Sequence, residues 1–302
     1  MATITQPRNT AHPASVAARR KTLDTTAKYV LLTLFTLTWL LPILATVLTS
    51  FRTMDDIAVN GFWSIPEKFT LEQFKAAWIA ARVRQYLLNS FIITIPSLLG
   101  MLFLSSLSAY ALARFKFKGN LLVYFMYVGG TMLPFQILLL PVFRLTNRLG
   151  LYDTYGALIL IHIAFQLGFC TFVLRNFMRT VPGEILDAAR VDGCGEFRIY
   201  WQMMLPLSLP ALAALATAAI LTFMGHWNEF LQPFIFLNDK NKYTLAIGIK
   251  YFQEVAGNVD SMEHRQNILM AASVMMTAPI ILLFFLAQRY FVRGIVMSGI
   301  KG

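Results

Sequence analysis

"LNSFIITIPSLLGMLFLSSLSAYALA", residues 88–113, runs for 26 positions without an Asp, Glu, Lys or Arg. Crossing a hydrocarbon core about 30 Å thick takes roughly 20 helical residues, so the stretch is long enough to span a bilayer. It must do so as a helix, because backbone N–H and C=O groups left unpaired in hydrocarbon are too costly for irregular chain. Five further uncharged runs, near 29–50, 121–143, 155–174, 207–228 and 268–288, meet the same requirement. The expected fold is all-α, a polytopic membrane protein with six transmembrane helices. Composition agrees: 57% of the 302 residues are apolar and 14% charged, against roughly 25% charged in a soluble domain.

Toward the N-terminus, residues 1–28 are polar and carry Arg19, Arg20, Lys21 and Lys28. The run that follows is too long for a cleaved signal and lacks a small-x-small exit. It reads as a retained helix behind a flexible cytoplasmic tail, with 29–302 as one six-helix membrane domain. Placing the N-terminus inside puts 15 of the 26 Lys and Arg on the cytoplasmic side but only 5 of the 15 acids. Basic residues accumulate on that side, so both termini and the 175–206 loop are expected there. The formal net charge of +11 reflects this asymmetry and not nucleic-acid binding. Cys170 and Cys194 fall in a span and a loop, and His12, His162, His226 and His264 lack ligand spacing. Neither a disulfide nor a metal site is indicated.

Between the spans, the 51–87 segment has Thr70 and Gln73 at capping-box spacing, with Phe74, Trp78 and Val83 on one side. That pattern predicts a surface helix lying against the bundle. Gly129, Gly130 and Pro134 fall near the middle of the third run and are expected to bend or loosen it. The fifth run holds "ALAALATAAI", residues 211–220, whose small side chains admit a close neighbouring helix. A long mixed loop, about 229–267, precedes the last run.

One charged island interrupts the apolar second half: "EILDAARVDGCGEFRIYWQMMLP", residues 184–206. Pro182 suits a first helical turn, and Glu184 and Asp187 follow where the helix dipole favours acids. A short amphipathic helix is expected to run to Asp192, with Ile185, Ala188 and Ala189 on one face. Gly193 stands where a helix end commonly takes a left-handed residue. A second helix carries Phe197, Tyr200, Trp201 and Met204 and closes at Leu205-Pro206. The result is a cytoplasmic helix-turn-helix elbow within a loop of 180–206, whose two alanines form a small, shallow ridge. Physics alone leaves two readings open: a helix lying on lipid headgroups, or a docking element for another protein.

The order of Glu184, Asp187-Ala188-Ala189, Asp192-Gly193 and Leu205-Pro206 resembles the loop that links permeases of ATP-binding-cassette importers to their ATPase. Residues 87–120, "GHWNEFLQPFIFLNDKNKYTLAIGI" at 225–249 and "QRYFVRGIVMSGIKG" at 288–302 are similar to the carbohydrate-importing branch, especially its maltose-type inner-membrane permeases. Two positions depart from that family's pattern. Asp187 stands where glutamate is usual, and Cys194 where a small alanine is usual. The resemblance implies that Ala188 and Ala189 dock into the ATPase, with Glu184, Asp187 and Asp192 as polar contacts or caps. It makes Gly193 the fixed turn and Leu205-Pro206 the anchor to the next span, and it implies a second ATPase contact at Lys301-Gly302. The implied partners are a second, different permease, an ATPase dimer that holds ATP and Mg, and an extracytoplasmic solute-binding protein. No cofactor is implied for this chain itself. A sugar, oligosaccharide, polyol or polyol phosphate is the implied cargo, carried across the cell inner membrane.

Thr131 and Gln136 in the third run, Gln166 in the fourth, and Ser273 and Thr277 in the sixth are uncharged polar groups near mid-bilayer. Such groups can bond cargo hydroxyls along a permeation path or simply bond neighbouring helices. His162 reads as an interhelical donor, and Trp227-Asn228-Glu229 as an interfacial anchor or part of an outer gate. An ion-coupled sugar carrier is the main rival. Carriers place ionisable groups within the membrane, whereas these spans hold only His162 and His226, and a carrier leaves the island unused. A membrane enzyme is disfavoured, because no metal cluster, nucleophile-base pair or Walker-type phosphate loop is present in the sequence. A packing subunit with no path of its own stays open.

Overall fold

In the computed structural model, which describes residues 13–79, 81–208, 219–220, 222–257 and 266–299, four of the six long uncharged runs become long helices. In chain order the helices are α1 (Pro13–Ser50), α2 (Met54–Asn60), α3 (Glu72–Ile79), α4 (Val83–Arg114), α5 (Asn120–Gly130), α6 (Phe135–Arg148) and α7 (Tyr155–Met178). They continue with α8 (Gly183–Val191), α9 (Glu196–Ile199), α10 (Leu205–Leu207), α11 (Leu231–Phe236), α12 (Leu245–Gly257) and α13 (Gln266–Gly299). Among the described residues, four helices are long and apolar enough to cross a membrane, over Thr25–Ser50, Val83–Arg114, Tyr155–Met178 and Gln266–Leu286. Helix α1 begins at Pro13, ahead of the first apolar run. Much of the fifth run, 209–218 and 221, lies outside the described residues, so its span is not counted.

The third run is not one helix. It is α5 and α6, meeting at 105°. Thr131, Met132 and Leu133 donate to Val128, Gly129 and Gly130 in tight three-residue steps of 3.1, 3.1 and 3.4 Å. Pro134 is then extended, at φ −61° and ψ 133°. Proline offers no N–H to continue the helix and pushes the residue before it out of helical geometry. The bend expected from Gly129, Gly130 and Pro134 is therefore a full break of the span, and it opens a recess against α7 near Thr131 and Gly168.

Helices α4 and α7 form the centre of the molecule. On α4 the buried stripe is Ser97, Met101, Ser105, Ala109 and Leu112, spaced by three or four residues, and its small members let α7 approach closely. Cys170 on α7 donates its Sγ–H to Met101 Sδ across this seam at 3.4 Å. At Gly168 the backbone of α5 comes so near that a Cβ there would collide with the Tyr127 carbonyl and the Thr131 methyl.

At the end of the bundle opposite the 184–206 island, polar side chains tie the short helices together. The buried Arg52 guanidinium pairs with Asp56 at 2.7 Å and donates to the carbonyls of Gly61, Phe62 and Ser64 at 2.9, 3.2 and 3.2 Å. The Arg52 carbonyl in turn accepts from Gln73 Nε2 at 2.7 Å and from Asn267 Nδ2 at 3.1 Å, joining α1, α3 and α13. The expected capping box is therefore only half made. Thr70 Oγ1 accepts from the Glu72 N–H at 3.2 Å, whereas Gln73 is committed to Arg52. Nearby, Lys242 Nζ reaches the Asp153 carboxylate at 2.9 Å, and Asn89 Nδ2 donates to the carbonyls of Asn241 and Tyr243 at 2.8 and 2.9 Å.

Candidate functional site

The island folds as two helices around a glycine. Helix α8 follows Pro182 at its N-cap, and Glu184 lies in the first turn. At its other end Gly193 has φ +80°, a left-handed conformation that costs a residue with a Cβ about 1–2 kcal/mol. Two hydrogen bonds close the end: the Gly193 N–H to the Arg190 carbonyl at 3.0 Å and the Cys194 N–H to the Ala189 carbonyl at 2.9 Å. This paired 5→2 and 6→1 closure is the Schellman arrangement, which fixes where the chain leaves the helix. Cys194 then packs on the buried cluster that contains Ala189. A small side chain is sufficient there, so cysteine fits where alanine is usual.

The second helix is continuous through α9, a wider turn over Tyr200–Met204 and α10. Within the wide turn the Leu205 N–H reaches the Tyr200 carbonyl, five residues back. Ile199, Tyr200 and Met204 are buried with Leu186 and Ala189 against Met101, Ala109, Tyr110, Leu174 and Met178 of α4 and α7. Tyr200 Oη shares a hydrogen bond of 2.5 Å with Ser106 Oγ. The elbow is thus seated on the ends of two spans by its own core.

Ala189 belongs to that core, with 5% of its surface exposed. The expected ridge of Ala188 beside Ala189 does not form, because Leu186 and Ala189 turn inward together. Ala188 stays on the outer face with Glu184, Ile185, Asp187, Val191 and Asp192, all exposed. Asp192 is the C-cap just past Val191, and its N–H donates to the Ala188 carbonyl at 3.0 Å. At the far end Leu205 is half-buried and Pro206 exposed, in the first turn of α10.

Charge holds the two arms in register. Arg190 Nη1 pairs with Asp187 at 2.6 Å and Arg190 Nε with Glu196 at 2.7 Å, so one guanidinium bridges the glycine turn. Glu196 Oε2 also accepts from Tyr110 Oη on α4 at 2.6 Å. The Arg190 guanidinium and the Tyr110 hydroxyl hold the Glu196 carboxyl below its ordinary value. Arg114, at the end of α4, donates from Nη2 to the carbonyls of Met178 and, at 2.7 Å, Val181, bracing the chain where it enters the elbow. Sequence reasoning missed Tyr110, Arg114, Arg190 and Glu196. Their signal was present as a charged residue ending a span and an Arg-Glu pair flanking the glycine.

The candidate path residues divide into two groups. Thr131 Oγ1 donates to the Val128 carbonyl at 2.6 Å, Ser273 Oγ to the Leu269 carbonyl at 2.9 Å and Thr277 Oγ1 to the Ser273 carbonyl at 2.8 Å, each within its own helix or turn. Gln136, exposed at the start of α6, and Gln166, half-buried on α7, make no side-chain hydrogen bond among the described residues. His162 finds no hydrogen-bond partner among the described residues and stacks on His226 with ring centroids 4.0 Å apart. Trp227 is buried and donates Nε1–H to the Met276 carbonyl at 3.4 Å. Lys301 and Gly302 lie outside the described residues.

Known proteins resemble this chain in sequence and in fold. The chain is 38% identical, over 86% of its own length and 91% of the relative's, to the arabinooligosaccharides transport system permease of Halalkalibacterium halodurans. It is 35% identical to a probable ABC transporter permease of Bacillus subtilis, over 94% of this chain and 91% of that one. With the diacetylchitobiose uptake system permease of Streptomyces coelicolor it shares 33% identity over 90% of this chain and 87% of the relative. The fold also matches a crystal structure of a bacterial ABC transporter involved in the import of the acidic polysaccharide alginate, with TM-score 0.78, 22% identity, and coverage of 90% of this chain and 98% of that one. A multi-pass membrane subunit of an importer, and not an enzyme, is what these relatives and the apolar helices have in common. Residues 88–297 match one family along their whole length, and the chain belongs to it: it is a binding-protein-dependent transport system inner membrane component.

Proposed function

We propose that the elbow is the handle through which a separate ATPase moves this permease, and that the cargo is a sugar, oligosaccharide, polyol or polyol phosphate. The observation that carries the reading is the contrast between the elbow's two sides. Its inner side is locked to α4 and α7 by a buried cluster and by Arg114. Its outer side presents Ile185, Ala188 and Val191, with Val191 87% exposed, between the acids Glu184, Asp187 and Asp192. A rigid element with short outward side chains can be gripped and pushed, and α4 and α7 must follow. ATP binding shifts the permease only through contacts that differ between its conformations, and a handle fixed to two spans supplies them. The ATPase, present as a dimer, holds the ATP and Mg.

On this reading the elbow and both termini face the cytoplasm, with residues 1–28 as a cytoplasmic tail. The partners are a second, different permease and an extracytoplasmic solute-binding protein, and the terminal Lys301-Gly302 reaches the ATPase as a second contact. The relatives' names, for arabinooligosaccharides and diacetylchitobiose, support an oligosaccharide. Gln136 and Gln166, with uncommitted amides, are the stronger candidates for cargo hydroxyls, and Thr131, Ser273 and Thr277 the weaker.

The test is Gly193→Val. The strain of a branched side chain at φ +80° opens the turn while leaving the spans intact. The variant is expected to insert at wild-type level, to lose uptake and to co-purify with less ATPase. Undiminished uptake contradicts the reading.

A further inference from the structure

Beside the elbow, at the same end of the bundle, α4, α5 and α7 enclose a groove of about 690 Å³. Lys116, Lys118, Arg175 and Arg179 line it, and no Asp or Glu does. Lys116, Lys118 and Arg179 are exposed and make no ion pair or side-chain hydrogen bond among the described residues. Arg175 differs from them, being only 6% exposed. It commits Nε to the Leu112 carbonyl at 3.3 Å and lays its guanidinium over the Tyr124 ring at 3.8 Å. Its two terminal nitrogens meet no acceptor among the described residues. The residue is largely buried, yet these two nitrogens still reach solvent at the wall of the open groove, which leaves them as donors for an anion.

A second observation points to the same ligand. Helix α5 starts in this groove at Asn120, and its N-cap, Gly119, supplies no side-chain cap. The N–H groups of Leu121 and Leu122 are without acceptors among the described residues. An uncapped helix start directs free N–H groups and positive dipole toward an anion. The same groove carries Phe115, Phe117 and Leu121, all exposed. Apolar side chains next to four cations at the end of a transmembrane bundle suit a ligand with a phosphate head and an acyl tail.

We propose that this groove binds the phosphate of an anionic phospholipid, held by Lys116, Lys118, Arg175, Arg179 and the first turn of α5. The lipid would brace α4 and α7 next to the elbow that they carry. The site stands on this groove's geometry and does not require the elbow to contact an ATPase.

The intact transporter, purified in detergent and stripped of lipid, is titrated with phosphatidylglycerol or phosphatidylcholine and read by native mass spectrometry, with inorganic phosphate as competitor. Wild-type protein is expected to retain phosphatidylglycerol over phosphatidylcholine. The double variant Lys116→Gln/Lys118→Gln, altered at exposed positions only, is expected to hold phosphatidylglycerol about 25-fold more weakly, at about fivefold per cation removed. Lys28→Gln, an exposed cation outside the groove, is expected to leave retention unchanged. Equal retention of the two lipids overturns the proposal, as does a double variant like the wild type or an equal loss in Lys28→Gln. Lysine-dependent binding of inorganic phosphate without retention of phosphatidylglycerol overturns the assignment to lipid.

Discussion

Two neighbouring alanines do opposite work in the elbow. Ala189 is packed among Leu186, Tyr200 and the ends of α4 and α7, whereas Ala188 faces out. Enlarging Ala189 to Leu overfills that cluster and is expected to destabilise the protein by about 1–3 kcal/mol. Ala188→Leu changes an exposed position and is expected to stay within about 0.5 kcal/mol of the wild type, while less ATPase co-purifies with it. Thermal unfolding in detergent and pull-down of the ATPase separate the two. A few residues on, the Glu196 carboxyl is held low by Arg190 and Tyr110. A carboxyl whose folded value is depressed contributes stability above its unfolded value, near pH 4.3, and loses that contribution as the pH falls through the folded one. Glu196→Gln is therefore expected to be less stable than the wild type at pH 7, with the gap narrowing as the pH falls below about 4. The pair is part-exposed and its effect small. A gap that does not narrow as the pH falls below about 4 contradicts the assignment.

At the scale of helices, close approach sets the architecture. Gly168 lets α5 lie directly on α7, so Gly168→Leu is expected to push the two apart and to lower the melting temperature and surface expression, whereas the same change at Gly129, where a Cβ meets nothing within 4 Å, is tolerated. The spans were legible because uncharged runs of twenty or more residues have few alternatives. The elbow's turn was legible because only a glycine accepts the left-handed conformation without strain. What stayed hidden had three physical causes. A short amphipathic helix has two stripes at the same spacing, Leu186 with Ala189 and Ile185 with Ala188, and only the packing on α4 and α7 decides which faces in. The run 121–143 is uncharged throughout, and hydropathy is blind to the broken backbone that Gly130 and Pro134 impose. The cation cluster at 116–118 read as a topology signal, because the partners that Arg175 lacks are visible only once α5 is folded against α7.

The whole molecule is incomplete by itself. Helix α1 exposes Tyr29, Leu31, Phe35 and Trp39 along its length, an apolar surface that only lipid or another membrane chain can cover. The opposite end is held by Arg52 and Asp153 networks, so the two ends of the bundle are separately braced and joined by α4 and α7. Force applied to the elbow is then carried across the membrane by those two helices. The central claim is that the outer face of α8 meets the ATPase. It is tested most directly by introducing Ala188→Cys in a Cys170→Ala, Cys194→Ala background of the assembled transporter and cross-linking with a short bifunctional reagent. The account predicts a cross-linked permease–ATPase band from Ala188→Cys whose yield changes with ATP, and none from Trp63→Cys at the opposite end. No such band from Ala188→Cys in a transporter that is active and retains its ATPase would contradict it.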